Sequence, residues 1–486
     1  TQINAADFTY TKLDGNYVSV TGYTGVEKDL IIPEIIDGLT VKEIGDYAFS
    51  GSDITSVHFP DSLTKIGACG FAYCDGLTEI TVPDSVTEIG HWGFSECKNL
   101  EKINYPKSLT SMGTGVYEGD VKLKNIIIPD GVEKIPAYAF ENCSNFTEIS
   151  MPSGLKEIDD YAFMGCSGLT KIELQEGLVR IGEHGFGQCS GLTEVVLPES
   201  LTELDSWSFK DCENLEKINY PKNLEQTGEG VYEGDVKLKS MTVPEGVETI
   251  PAKTFACCSN FTEINLPSSL KKIESFAFGE CTGLTGIKLP AGLTEIGDRA
   301  FSGCRSLKKI KLPSGLTEIG NTVFVDCTEL NEISFPAGVT SIGDRCFWNC
   351  TGLIRIVLPD KLEKLGEYAF LGCTALAKVS LPNSLKEIEK KTFQNCGCLT
   401  AVVIPGSVKK IADDTFEGCP NIVIYCNYYS YASAYAISKG IPFVSAGQSG
   451  KDEGSVLDNS ATSYYGDFNS IVQICENKKS CRFYGK

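Results

Sequence analysis

Two apolar spacings alternate along most of the chain, and together they repeat every 23 residues. From Cys281 to Gly303 the sequence is CTGLTGIKLPAGLTEIGDRAFSG, which gives the pattern C-x-x-L-x-x-I-x-L-P-x-x-L-x-x-I-G-x-x-A-F-x-x. Ile287 and Leu289 alternate with Lys288, the period-two pattern of a short strand with one face inward. Pro290 has no N–H to give to a ladder and ends that strand at a corner. Leu293, Ile296 and Gly297 turn the chain again, and glycine there accepts backbone conformations that a side chain would block. Phe301 fills the far wall, where burying its ring contributes about 1.5–3 kcal/mol.

A fixed period of this length means that each unit buries its apolar side only by stacking on its neighbours. The predicted fold is therefore a repeat solenoid, a right-handed β-rich superhelix with a parallel ladder of short strands. Aromatic anchors from Phe49 to Phe416 give seventeen coils. At about 4.8 Å per rung the ladder would run roughly 80 Å. No linker interrupts the register, so the 486 residues are expected to form one elongated body rather than several domains. Solenoids need atypical ends to seal the core. The expected layout is an N-terminal cap over 1–27, the solenoid over 28–419, a C-terminal cap over 420–445, and a linker with an unassigned tail over 446–486. The C-terminal cap should contain a short helix from Ser430 to Lys439, closed by Gly440 and Pro442. Cys475 and Cys481 in the tail are spaced for a small disulfide loop or belong to a further module.

The unit resembles the leucine-rich repeat of BspA-like bacterial surface proteins, in which L-x-x-I-x-L-P is followed by L-x-x-I-G-x-x-A-F-x-x-C. The resemblance covers roughly residues 28 to 445, and the start is also similar to that family's cap: Gly22 to Gly25, Leu30 to Pro33, and Ile44 to Phe49. It implies a leucine-rich-repeat fold and a secreted or cell-surface location, with adhesion to host proteins or other cells as one family role. The chain starts at Thr1 without an export signal, which leaves secretion open.

A second level of repetition lies five coils apart. Cys97 to Asn104 (CKNLEKIN) returns as Cys212 to Asn219 (CENLEKIN), and in both blocks the next coil carries a tyrosine anchor, Tyr117 or Tyr232, and an aspartate, Asp120 or Asp235, in the cysteine position. These coils are expected to bulge, because a phenol and a carboxylate need polar partners. Fourteen of the 21 cysteines stand three residues after an anchor. Such periodicity predicts a buried column of free thiols rather than disulfides or a zinc site. His58, His91 and His184 fall on separate coils, and no nucleophile elbow, phosphate loop or dinucleotide fingerprint is present. No enzyme activity, cofactor or metal is expected.

A formal charge of −21 argues against a nucleic-acid partner, and no run of eighteen apolar residues would span a membrane. Two surfaces break the acidic pattern. Outward strand positions in the second half carry Lys288, Lys309, Lys311, Arg355 and Lys378, with Lys308 adjacent and Glu332 the single acid, a basic stripe suited to an acidic protein segment or a uronic-acid glycan. Lysine on exposed strands also simply blunts pairing. Two residues before the anchors stands an aromatic row, Tyr47, Trp92, Tyr138, Tyr161, His184, Trp207, Phe276 and Tyr368, placed either to stack on a partner or to lie against the preceding coil. The function expected is a non-enzymatic secreted or cell-surface binding and adhesion protein with an extracellular protein or acidic glycan as partner. The alternatives are a rigid spacer projecting a terminal module and a non-catalytic part of a larger extracellular enzyme.

Overall fold

The computed structural model describes residues 4–445, so Cys475, Cys481 and the rest of 446–486 lie outside the described residues. The fold is a parallel-strand β-solenoid of about 19 turns with 23-residue repeats. The chain divides into two compact units, one made of Thr1–Pro244 with Pro251–Phe261, the other of Glu245–Ile250 with Thr262–Lys486. The anchor count of seventeen misses turns at the two ends, which carry no aromatic anchor. Tyr17–Tyr23 already pairs in parallel with Leu39–Ile44, and Val423–Tyr425 pairs with both Ala401–Val403 and Phe443–Val444.

Each turn has three walls. The first carries the I-x-L strand, paired in register one turn apart: Glu148 with Lys171, Ile149 with Ile172, Ser150 with Glu173. Inward isoleucines are buried and their outward neighbours exposed, as the period-two pattern requires. At the corner the proline carbonyl accepts the N–H three residues on, as from Val86 to Pro83 at 3.1 Å. The second wall carries the L-x-x-I segment, with Lys134–Ile135, Glu157–Ile158, Arg180–Ile181, Glu203–Leu204 and Gln226–Thr227 forming one five-stranded ladder in the first unit. On the third wall the anchor N–H donates to a carbonyl one turn ahead through most of the turns, as from Phe163 to Gly185 at 2.9 Å. The anchor rings stack face to face, with centroids 5.2 Å apart for Phe163 and Phe186 and 5.3 Å for Phe347 and Phe370.

The corner glycine serves closeness rather than backbone freedom. Gly90, Gly113 and Gly228 are not among the positive-φ residues, yet a Cβ there would stand 2.6, 2.3 and 2.1 Å from the backbone nitrogens of Ala68, His91 and Ser206 in the coil before. Left-handed backbone occurs instead two residues before and two after the anchor, mostly on residues with side chains, including Tyr138 (φ 60), Asn142 (φ 59) and Trp207 (φ 58). Each such residue costs on the order of 1 kcal/mol and persists because the stacked neighbours impose it.

The ends are sealed by elements that differ from the repeat. An antiparallel hairpin, Phe8–Leu13 with Tyr17–Tyr23, covers the first turn and buries Val18 and Val20. At the other end the helix Tyr431–Lys439 starts at Ser430, whose hydroxyl accepts the Ser433 N–H, and stops at left-handed Gly440. Its Tyr435 ring meets the last anchor, Phe416, edge-on at 6.2 Å.

All nineteen cysteines of the described residues are free. Column thiols donate to the carbonyl of the anchor one turn back, at 3.1 Å from Cys166 to Phe140 and from Cys327 to Phe301, and 3.0 Å from Cys350 to Phe324. Burial pushes the thiols of Cys166, Cys212, Cys327 and Cys350 well up. A thiolate is the reactive form, so these cysteines should resist iodoacetamide at pH 8 in the native protein while exposed Cys257 and Cys398 are alkylated. Peptide mapping before and after denaturation checks this, and native labelling of the column would refute it.

Candidate interaction surface

The strand face of the second unit gathers the basic residues onto neighbouring rungs. Lys309–Lys311 pairs in register with Gly286–Ile287 on one side and Glu332–Ser334 on the other. Arg355 bridges in parallel to Lys378. Lys288, Lys308, Lys309, Lys311 and Arg355 are exposed and Lys378 is half-buried. Part of this charge is matched. Lys309 pairs with Glu332 at 2.8 Å and Lys308 reaches Glu329 at 3.8 Å, and the Lys309 ammonium, with Arg355 as a smaller contributor, holds the Glu332 carboxyl below its usual range. Lys288, Lys311 and Arg355 make no ion pair among the described residues. Beside Arg355 stand two large aliphatic side chains open to solvent, Ile354 at 57% and Val357 at 79% exposure. Sequence reasoning passed over this pair, although alternation from buried Ile356 already places Val357 outward.

The aromatic row does not form one continuous surface, and Phe276 and Tyr368 stand apart from its other members. Tyr47 and Trp92 are each isolated from the next ring, with Cys69 and Gly115 between, while Tyr138, Tyr161, His184 and Trp207 form a continuous stack with centroids 4.9, 5.1 and 5.4 Å apart. Their faces are spent on one another, which leaves edges and polar tips outward. Tyr161 donates to Glu183 at 2.8 Å, and Lys253 lies 5.6 Å from the Trp207 ring. The five-coil duplication appears here as well. Trp92 and Trp207 lean over Gly115 and Gly230, where a Cβ would meet the indole at 2.5 Å, and donate to Glu118 and Glu233 at 2.9 and 3.0 Å.

The duplicated tyrosine coils are not pushed outward: Tyr117, Asp120, Tyr232 and Asp235 are fully buried. The stack does widen, with Phe94 and Tyr117 6.3 Å apart. Asp120 accepts the Cys97 N–H at 2.8 Å and Asp235 that of Cys212 at 2.9 Å, while the second oxygen of each acid has no partner. Burial raises both acids well above the carboxylate range, and the charges of Glu96 and Asp211 add to the effect.

Burial, with Glu118 nearby, pushes Glu141 up to about 7. Two shallow depressions of about 420 and 470 Å³ lie elsewhere, on the strand face of the first unit, lined among others by Ile127, Ser150 and Lys171 and by Thr193, Glu194 and Val196. Among the described residues no group of three or more His, Cys, Asp and Glu side chains is placed to hold a metal, and no helix is long and apolar enough to cross a membrane.

Stacked 23-residue turns, a proline corner and an aromatic ladder define a leucine-rich-repeat solenoid protein. The model of the BspA-type leucine-rich repeat region, with six copies, matches residues 42–169, 133–260, 248–363 and 294–423, and the chain belongs to that family. Among solved structures it is similar to a leucine-rich repeat protein from Bacteroides ovatus, 27% identical, covering 92% of this chain and 100% of that one with a TM-score of 0.61. It also resembles a leucine-rich cell surface protein from Faecalibacterium prausnitzii, 23% identical, covering 89% and 96% with a TM-score of 0.38. No curated protein matches the chain.

Proposed function

We propose that this chain is a non-enzymatic, secreted or cell-surface binding protein that meets its partner on the strand face of the second unit. One observation carries the reading: Arg355, exposed and without an ion pair among the described residues, stands between exposed Ile354 and Val357 on a face that also presents Lys288, Lys309 and Lys311. A cation ringed by solvent-open aliphatic groups has the composition of an interface centre. Membership of a family of bacterial surface repeat proteins supports the location. The stacked row Tyr138, Tyr161 and Trp207, with isolated Tyr47 and Trp92, offers edges to a partner and is a secondary contact in this reading. The test is binding of the purified chain to arrayed extracellular-matrix proteins and acidic glycans at low and physiological salt. The K309E/K311E/R355E variant should lose at least tenfold in affinity, with the larger loss at low salt. Silence across the array would favour the spacer role.

A further inference from the structure

The ladder of the strand face is interrupted at several rungs, and exposed Ile127, Val196 and Val357 stand at three of these seams. Among the described residues, the ladder of Gly286–Ile287, Lys309–Lys311 and Glu332–Ser334 ends at Glu332–Ser334, and the next rung, at Arg355, bridges only forward to Lys378. Val357 lies on the far side of that seam, in the outward column of Lys288, Lys311 and Ser334. The first unit repeats the arrangement twice. Ile127 bridges only forward to Ser150, Glu194–Val195 pairs only forward with Lys217–Ile218, and exposed Ile127 and Val196 each line one of the two depressions. At each break the coils still stack, as the Phe324, Phe347 and Phe370 rings do beside Arg355, so a partner meets the outward side chains of the face.

Resting on the proposed binding role, we infer that the Glu332/Arg355 seam takes an extended acidic segment of a protein in which an aliphatic residue sits between carboxylates. The charge pattern selects that order. Arg355 and Lys378 lie on one side and Lys309 and Lys311 on the other, while Glu332 in the middle repels an acid placed over the seam and leaves that place to an apolar group. Ile354 and Val357 supply the matching surface. A sugar ring laid there would press its hydroxyls against branched methyl groups that return no hydrogen bond, so an acidic glycan satisfies the cations and wastes the aliphatic pair. A peptide satisfies both, and its alternate residues, about 6.6–6.8 Å apart, face the sheet together.

The experiment titrates the whole chain into a fluorescent peptide with the core Asp-Ser-Leu-Ser-Asp, into the same peptide with Leu replaced by Ser, and into oligogalacturonate, following anisotropy at low salt. The leucine peptide should bind at least fivefold tighter than the serine peptide. I354S/V357S, at exposed positions that leave the thermal melt unchanged, should abolish that preference, and R355E should weaken both peptides tenfold or more. Equal affinity for the two peptides, or a preference that survives I354S/V357S, overturns the inference. Oligogalacturonate binding that is lost in R355E while neither peptide binds also overturns it, yet keeps the proposed binding role. Self-association of the chain that R355E dissolves would assign the seam to a second copy instead. No binding of any probe, together with an unaltered partner array for R355E, removes this face from both readings.

Discussion

Replacing Asp120 and Asp235 together by cysteine should stabilise the protein by about 2–6 kcal/mol, at about 1–3 kcal/mol for each buried polar group left without a partner. Cysteine is the residue of the corresponding position in most coils, where its thiol gives one hydrogen bond to the anchor carbonyl of the preceding turn, as from Cys143 to Tyr117 at 3.1 Å. The acids give no such bond, and one oxygen of each is buried without a partner. Five coils separate the two sites, so their effects should add. The gain depends on pH in a defined direction. Burial raises both acids in the folded state, so the folded chain keeps protons that the unfolded chain releases above about pH 4. The stability linked to these protons is complete below the ordinary carboxylate pKa and declines as pH rises through the folded value, by at most about 1.4 kcal/mol per acid per pH unit. Urea unfolding of the wild type and of the D120C/D235C variant should therefore diverge between pH 4 and pH 7. D120N/D235N, which cannot ionise, should show the same loss of pH dependence. A difference that stays constant with pH would mean that both acids are ionised in the fold.

Replacing Arg180 by methionine should destabilise the first unit by about 2–4 kcal/mol. The guanidinium, 22% exposed, reaches Asp159 at 2.8 Å and Asp160 at 2.7 Å in the coil before, and Asp205 at 2.6 Å in the coil after, with Glu203 at 3.8 Å. One side chain thus ties three turns and places a positive charge among four carboxylates. Breaking a buried pair costs about 3–5 kcal/mol, and the figure is reduced here because Asp160 and Asp205 are 42% and 33% exposed and screened by water. Burial works against the ionised form of Asp159, yet Lys134 and Arg180 hold its carboxyl below the usual range. A lowered acid contributes stability that is present above its unfolded pKa and lost as pH falls, so the deficit of R180M should be largest at neutral pH and shrink towards pH 3. Urea midpoints across that range measure it, since guanidinium salt would mask the effect. R180K, with one charge but no fork, should recover part of the loss. An R180M midpoint equal to wild type at neutral pH would show that the cluster is solvated and contributes nothing.

Sequence alone determined the period, the inward isoleucines, the proline corners, the buried aromatic wall and the thiol column, because each follows from a side chain's own chemistry repeated at a fixed spacing. The closing helix from Tyr431 to Lys439 was legible for the same reason, since Ser430 and Gly440 mark its ends locally. The tertiary structure decided what depends on the neighbouring turn. The corner glycine is required by an approach of 2.1–2.6 Å from the coil before, a distance that no local pattern contains. Left-handed backbone fell on Tyr138 and Trp207 rather than on the corner glycine because stacking imposes it. The aromatic row, which the sequence leaves either to meet a partner or to lie against the preceding coil, turns four of its ring faces to one another. The ladder seams beside Ile127, Val196 and Val357 are invisible in the repeat, because the 23-residue spacing continues unbroken across each of them. Side chains set which wall each residue joins. Only the packing of one turn on the next decides where the ladder of that wall runs on and where it breaks.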